Sequence, residues 1–174
     1  MVGVGRGAGL GVLSKNAEAL ERLEKVDTRV VDKTGTLTEG RPSLTQIVPA
    51  DGFDENELLR LAAVVERASE HPLSLAIVEA ANKAGLQIPD VADFDSPVEK
   101  GVFGTVEGKR VVLGSATFLG SENVDVSPLA AQADELRKDG ATAIFAGVDG
   151  KLAAIFAIAD PVKESPSRPQ ERRY

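Results

Sequence analysis

Thr142-Ala143-Ile144-Phe145-Ala146-Gly147-Val148-Asp149-Gly150-Lys151-Leu152-Ala153-Ala154-Ile155-Phe156-Ala157-Ile158 holds two apolar runs joined by Asp-Gly. A two-residue type I′ hairpin turn needs positive φ at both central positions, and Asp-Gly between apolar runs is its strongest short-range signal. Residues 142–148 and 151–158 are therefore expected to pair as antiparallel strands. Upstream, residues 102–106 and 110–113 alternate around Glu107-Gly108-Lys109 and predict a second hairpin. Between the hairpins, Ser127-Pro128 opens a helix to Lys138, with Leu129, Ala133 and Leu136 facing inward and Gly140 ending it.

Further out, residues 43–48 form a short β-prone run ending at Pro49. Asp54-Glu55-Asn56-Glu57 is a capping box in its aspartate form, and Leu58, Leu61, Ala62 and Val65 supply the apolar stripe of the helix it starts. Glu66 lies about 80° around that helix from Leu58, at the rim of the stripe, where a carboxylate borders an apolar pocket without entering the core. The helix is expected to break at His71-Pro72, because the residue before proline is driven out of the α region and proline suits the first turn of a new helix. Leu73, Ala76, Ile77, Ala80 and Ala81 then form a second amphipathic helix up to Gly85. His71 falls at the corner, partly exposed. The order strand, two helices, hairpin, helix, hairpin predicts an α+β fold: an antiparallel sheet with flanking helices on one side.

Before this region stands Val30-Val31-Asp32-Lys33-Thr34-Gly35-Thr36-Leu37-Thr38-Glu39-Gly40. Residues 28–31 predict a buried strand delivering Asp32 at its C-terminal end, the place where open α/β sheets bind ligands. A carboxylate held there is a nucleophile suited to forming an aspartyl phosphate. Lys33 and the Thr34 hydroxyl suit phosphate oxygens, and Gly35 allows a close turn. Taken alone, Asp-Lys-Thr-Gly is equally a polar turn after a strand. Nearer the N-terminus, Gly3-Val4-Gly5-Arg6-Gly7-Ala8 formally fits a dinucleotide fingerprint, but only Met1 and Val2 precede it, so it lacks the strand that the fingerprint must follow. We expect a flexible or packing segment there, then a helix over residues 14–25 capped by Ser14.

The 174 residues, 43% of them apolar, are enough for one domain or two small ones. The net charge of −7 and the absence of a basic block before the last residues argue against nucleic acid or an anionic membrane as partner. With no cysteine there is no disulfide, thiolate nucleophile or thiolate metal site, and the single histidine and single methionine limit any soft-metal site. The longest apolar run, 152–159, is far short of the roughly 18 residues that span a bilayer.

Two strings carry a resemblance. Asp32-Lys33-Thr34-Gly35-Thr36-Leu37-Thr38 is similar at all seven positions to the phosphorylation motif of P-type ATPases, and Glu39-Gly40-Arg41-Pro42 resembles its continuation in the heavy-metal branch. Glu66-Arg67-Ala68-Ser69-Glu70-His71-Pro72-Leu73 resembles the Ser-Glu-His-Pro motif of the same family's nucleotide-binding domain. The resemblance implies Asp32, Lys33 and Thr34 as the catalytic set, with Asp32 and Thr34 toward Mg²⁺. It implies ATP as cofactor, with Glu66 receiving the adenine amine and His71 packing on or orienting the ring. Gly101 and Gly114 resemble glycines that let the backbone approach the nucleotide, though turn and bulge glycines explain them equally.

The resemblance runs from residue 1 to about 165 and implies a cytosolic segment of a heavy-metal, copper-like pump. Residues 1–41 would start an incomplete HAD-like α/β phosphorylation domain, 42–159 form the nucleotide-binding domain, 160–165 the return hinge and 166–174 a disordered tail. The partners implied are an adenine nucleotide and the remaining pump domains. The localisation implied is the cytoplasmic face of a membrane, with this segment itself soluble. The Thr-Gly-Asp and Gly-Asp-Gly-x-Asn-Asp strings that complete the family's Mg²⁺ site do not occur in the sequence. If two electrostatic contributions of about 3 kcal/mol each are lost, phosphoryl transfer slows by about 10⁴. The expectation is a segment that binds nucleotide without transporting; a stand-alone HAD-like phosphohydrolase using Asp32 and a non-catalytic module are the alternatives. One departure bears on affinity: where the family carries Gly-x-Gly, this chain has Glu99-Lys100-Gly101. A glutamate there narrows the pocket or repels phosphates, so Glu99→Gly is expected to tighten ATP binding in titration calorimetry; unchanged affinity would remove Glu99 from the pocket.

Overall fold

The computed structural model describes residues 2–9, 11, 18, 22, 25–28, 30, 38–97 and 101–162. The chain divides into two compact units, Met1–Lys33 and Thr34–Tyr174. In the first, Val2–Gly9 forms helix α1, where the alternating glycines predict a flexible or packing segment. Each interior glycine costs about 1 kcal/mol relative to alanine, but no proline interrupts the run, so every amide remains available to the helical ladder. Glu18 and Arg22, both helical and joined by a 2.7 Å ion pair, are the described positions within the expected helix 14–25. Thr28 and Val30, the described positions of the expected strand, are in no strand, and Val30 is 96% exposed. A strand needs a hydrogen-bonded neighbour, and every named strand among the described residues belongs to a sheet in the second unit. Asp32, Lys33 and Thr34 lie outside the described residues, as do Glu99 and the expected tail.

The second unit is a six-stranded antiparallel sheet with helices. Its strands are β1 (Ser43–Pro49), β2 (Ala92–Asp95), β3 (Gly101–Val106), β4 (Lys109–Gly114), β5 (Thr142–Val148) and β6 (Lys151–Ala159), in the spatial order β1-β6-β5-β4-β3-β2. Both predicted hairpins form. Glu107 and Gly108 turn at φ 52° and 79°, and Asp149 and Gly150 at φ 50° and 77°, closing Val106 on Lys109 and Val148 on Lys151. The helices are α2 (Glu55–Glu66), α3 (Ser74–Lys83), α4 (Ala116–Ser121) and α5 (Ser127–Lys138). Asp54 caps α2 by accepting from the Glu57 amide at 2.9 Å. The helix ends with Arg67 as its C-cap, several residues before His71-Pro72, and α3 starts at Ser74 rather than at Pro72.

The helices cover both faces of the sheet, not one. On one face Val102, Val111, Leu113, Phe156 and Ile158 pack with Leu58, Leu61, Val65 and Ile77 of α2 and α3. On the other, Val112, Phe145 and Ile155 pack with Phe118 and Leu119 of α4 and Leu129 and Ala133 of α5. The cause lies in β6: its residues Ala153 to Ile158 are all buried, and a strand apolar at every position must be covered twice.

The chain enters and leaves this unit side by side. The Asp160 carboxylate accepts from Thr38 Oγ1 at 2.6 Å and from the amides of Gly40 and Arg41 at 2.9 and 3.1 Å, and Thr38 pairs with Val162. Because Phe145 and Phe156 sit in opposite cores, Phe145→Ala and Phe156→Ala are each expected to lower stability by about 3–5 kcal/mol in urea unfolding. A nearly neutral Phe145→Ala would contradict the second helical layer.

Candidate functional site

The turn between α2 and α3 faces the ends of three strands: the start of β3, the end of β4 and the start of β5. They enclose a largely apolar cavity of about 410 Å³, with Glu66, His71, Gly101 and Gly114 all in its wall. Four of the residues expected at a nucleotide site from separate stretches of sequence are thus brought together. The volume lies within the roughly 300–1,000 Å³ typical of small-molecule sites.

Glu66 is the last residue of α2, and its position differs from expectation. It is 6% exposed, buried rather than at an open rim. The helical stripe accounts only for what α2 covers by itself; the strand ends and the α2–α3 turn close over the rest. Burial raises the carboxyl above its ordinary value, and hydrogen bonding from Ser74, the nearby His71 and hydrogen bonding from Ser69 oppose that rise. The Ser74 hydroxyl donates to Glu66 Oε2.

His71 is exposed at the corner, as expected. Its own turn fixes the ring: the Leu73 amide donates to Nδ1 at 3.1 Å, and the His71 amide donates to Ser69 Oγ at 3.2 Å. With Nδ1 accepting, the neutral ring carries its proton on Nε2. Pro72 helps by lacking an amide that would compete for Nδ1.

Gly101 has a packing reason of its own. A Cβ there would lie 2.3 Å from the Leu113 carbonyl oxygen and 2.4 Å from the Phe118 ring. Gly114 pairs with Gly101 across the β3–β4 ladder, so two glycines stand opposite each other at the cavity wall. Four hydroxyl residues of the wall escaped the sequence reading: Ser69, Ser96, Ser115 and Thr142. Ser69 stands inside the motif string, but the other three carry no local signal. Ser74, buried and bonded to Glu66, lies one residue past the end of that string. Among the described residues no cluster of side chains could hold a metal ion, and no helix is long and apolar enough to cross a membrane.

An antiparallel sheet with this site matches a known class. The chain belongs to the haloacid dehalogenase-like hydrolase family, whose model matches residues 26–167. Within it, the resemblance to heavy-metal P-type ATPases is borne out. The copper-exporting P-type ATPase of Legionella pneumophila is 54% identical over 165 residues, which are 95% of this chain and 22% of that protein. A zinc-transporting PIB-type ATPase solved in its E2.Pi state superposes with a TM-score of 0.78 at 37% identity, over 92% of this chain and 26% of that one. The catalytic domain of the CPx-ATPase CopB-B, solved for its conformational changes upon nucleotide binding, matches with a TM-score of 0.61 at 28% identity, over 88% of this chain and 52% of that one. The chain spans about one fifth of the length of the copper-exporting relative.

The raised carboxyl of Glu66 has a consequence for stability. The folded state holds this proton more tightly than the unfolded chain, so the stabilising contribution is present below the ordinary value of 4.5 and is lost as pH rises through the folded value. Glu66→Gln is therefore expected to melt above the parent chain at pH 7.5, with the difference shrinking toward pH 4.5. A melting difference independent of pH would show that ionisation of Glu66 is not its cause.

Proposed function

We propose that the second unit binds the adenine end of ATP in the cavity between the α2–α3 turn and the strand ends. The carrying observation is the convergence of Glu66, His71, Gly101 and Gly114 on one cavity. Glu66 supplies the acceptor for the exocyclic amine. The His71 ring, fixed by the Leu73 amide, supplies a flat face at the cavity mouth, which matters in a chain with only six Phe and one Tyr. The glycines at 101 and 114 keep side chains away from the wall where the ribose and phosphates leave the base. The match to the CopB-B catalytic domain, studied upon nucleotide binding, supports this reading.

In this proposal residues 42–159 are the nucleotide-binding domain, 1–41 begin the phosphorylation domain, and 160–165 form the return hinge ahead of a tail at 166–174. The hydrogen bonds that Asp160 accepts from Thr38, Gly40 and Arg41 support a hinge in which both connections move together. Asp32 is the phosphoryl acceptor, with Lys33 and Thr34 beside the phosphate. Mg²⁺, when bound, would neutralise the phosphate charge; its expected ligands, Asp32 and Thr34, lie outside the described residues. The whole protein is an ATP-driven exporter of a heavy metal, with this segment on the cytoplasmic face of the membrane. Its cargo is proposed as copper, on the copper-exporting relative.

Titration calorimetry with ATP is expected to show one site, lost in Glu66→Ala and weakened in His71→Ala. Retained binding in Glu66→Ala would overturn the base-binding assignment. Acid-stable ³²P labelling from ATP, abolished in Asp32→Asn, would add catalysis to binding in this chain; labelling that survives Asp32→Asn would remove Asp32 as acceptor.

A further inference from the structure

Ser74 is the first residue of α3 and is 4% exposed. A serine at a helix start ordinarily caps the helix with its own oxygen. Here the N-cap position falls to Leu73, which makes no side-chain capping bond. The Ser74 hydroxyl instead crosses the α2–α3 corner and donates to Glu66 Oε2. Glu66 forms part of the cavity wall and Ser74 does not. The hydroxyl therefore meets the carboxylate from outside the cavity wall.

We infer that Ser74 is a positioning residue for base recognition: its buried hydroxyl, by donating to Glu66 Oε2, holds the Glu66 side chain as an acceptor facing the cavity. The inference rests on the base-binding reading above. A carboxylate accepts from the exocyclic amine of adenine and opposes the 6-oxo group of hypoxanthine, which also only accepts. A protonated carboxyl has no such preference, since its hydroxyl can donate to that oxo group. Burial alone favours the protonated form, and the Ser74 donor opposes it. The other groups near this carboxyl are His71 and Ser69. Glu70 is a second acid on the cavity wall, and the described strand-side lining brings no charge. Removing the hydroxyl therefore loosens the side chain and lets it take up a proton nearer neutrality, so selectivity for ATP over ITP falls.

The test compares ATP and ITP affinities by titration calorimetry on the full chain at pH 6 and pH 8, with the fold of each variant checked by circular dichroism. Ser74→Ala is expected to weaken ATP binding by about five- to tenfold, the net scale of one ordinary intramolecular hydrogen bond. The loss should be larger at pH 6, the ATP-to-ITP preference should fall, and Ser74→Thr should restore both. In a Glu66→Gln background, Ser74→Ala should leave the preference unchanged, because its effect runs through the carboxylate. Parental ATP affinity and ATP-to-ITP preference in Ser74→Ala at both pH values, while Glu66→Ala abolishes ATP binding, would overturn the role of Ser74 alone. ATP binding unaffected by Glu66→Ala would overturn the base-binding reading and the inference with it.

Discussion

The second unit depends on β5 and β6 being apolar on both faces. Phe145 and Ile155 point into one core and Phe156 and Ile158 into the other, all of them at most 2% exposed. A sheet with this centre cannot leave either face in water. The α2–α3 pair covers one face and α4–α5 the other, so a single hairpin dictates a three-layer arrangement. The Asp149-Gly150 turn sets the register of that hairpin, and Ala153, the extra residue of β6 opposite Ala146 and Gly147, absorbs local twist without exposing either face.

The site follows from that layering. Packing α2 across β3 and β4 fixes where its last residue falls, and the corner before α3 then hangs over the strand ends. Glu66 is delivered into a nearly dry position as a result. Core packing alone would put an apolar residue there, because burying a carboxylate costs free energy that only hydrogen bonds or charge offset. Ser74, Ser69 and His71 offset part of that cost, and burial still leaves the carboxyl raised. A buried acid with a raised proton affinity and several polar neighbours at the wall of an apolar cavity is the pattern expected of a functional group rather than a surface ion.

The two hairpins were legible because their signals are local: positive φ is chemically demanding, and Glu-Gly and Asp-Gly satisfy it. Helices α2 and α5 were legible through the Asp54 cap, the Pro128 start and their apolar periodicity. What escaped is tertiary. The apolar stretch 152–159 was weighed as a membrane span by its length and not as a doubly covered strand, so the second layer was missed. Strand β2, Ala-Asp-Phe-Asp, is an edge with acidic residues and little alternation, and the six-residue α4 is too short for a helical period to emerge. The end of α2 at Glu66 came earlier than Pro72 required, because the turn at residues 67–71 is held by its own bonds, including Ser69 N to Glu66 O at 3.0 Å. Of the candidate site, the motif string carried Glu66 and His71, while Ser96, Ser115 and Thr142 reach the cavity only through the fold. The Asp32 stretch was legible as a motif and lies outside the described residues.

The division of the chain separates two kinds of chemistry. Every described residue of the cavity wall belongs to the unit Thr34–Tyr174, whereas Asp32 belongs to Met1–Lys33. The base site proposed above is therefore assembled by one sheet and its helices, and its geometry is set by that unit's own core. The proposed phosphoryl transfer asks for more, since Asp32 belongs to the other unit. Asp160 stands where the chain leaves the last strand of the sheet. Its carboxylate ties the outgoing strand to the incoming residues 38–41. These bonds stand just beyond the Ser43–Ala159 pair and close that end of the β1–β6 ladder.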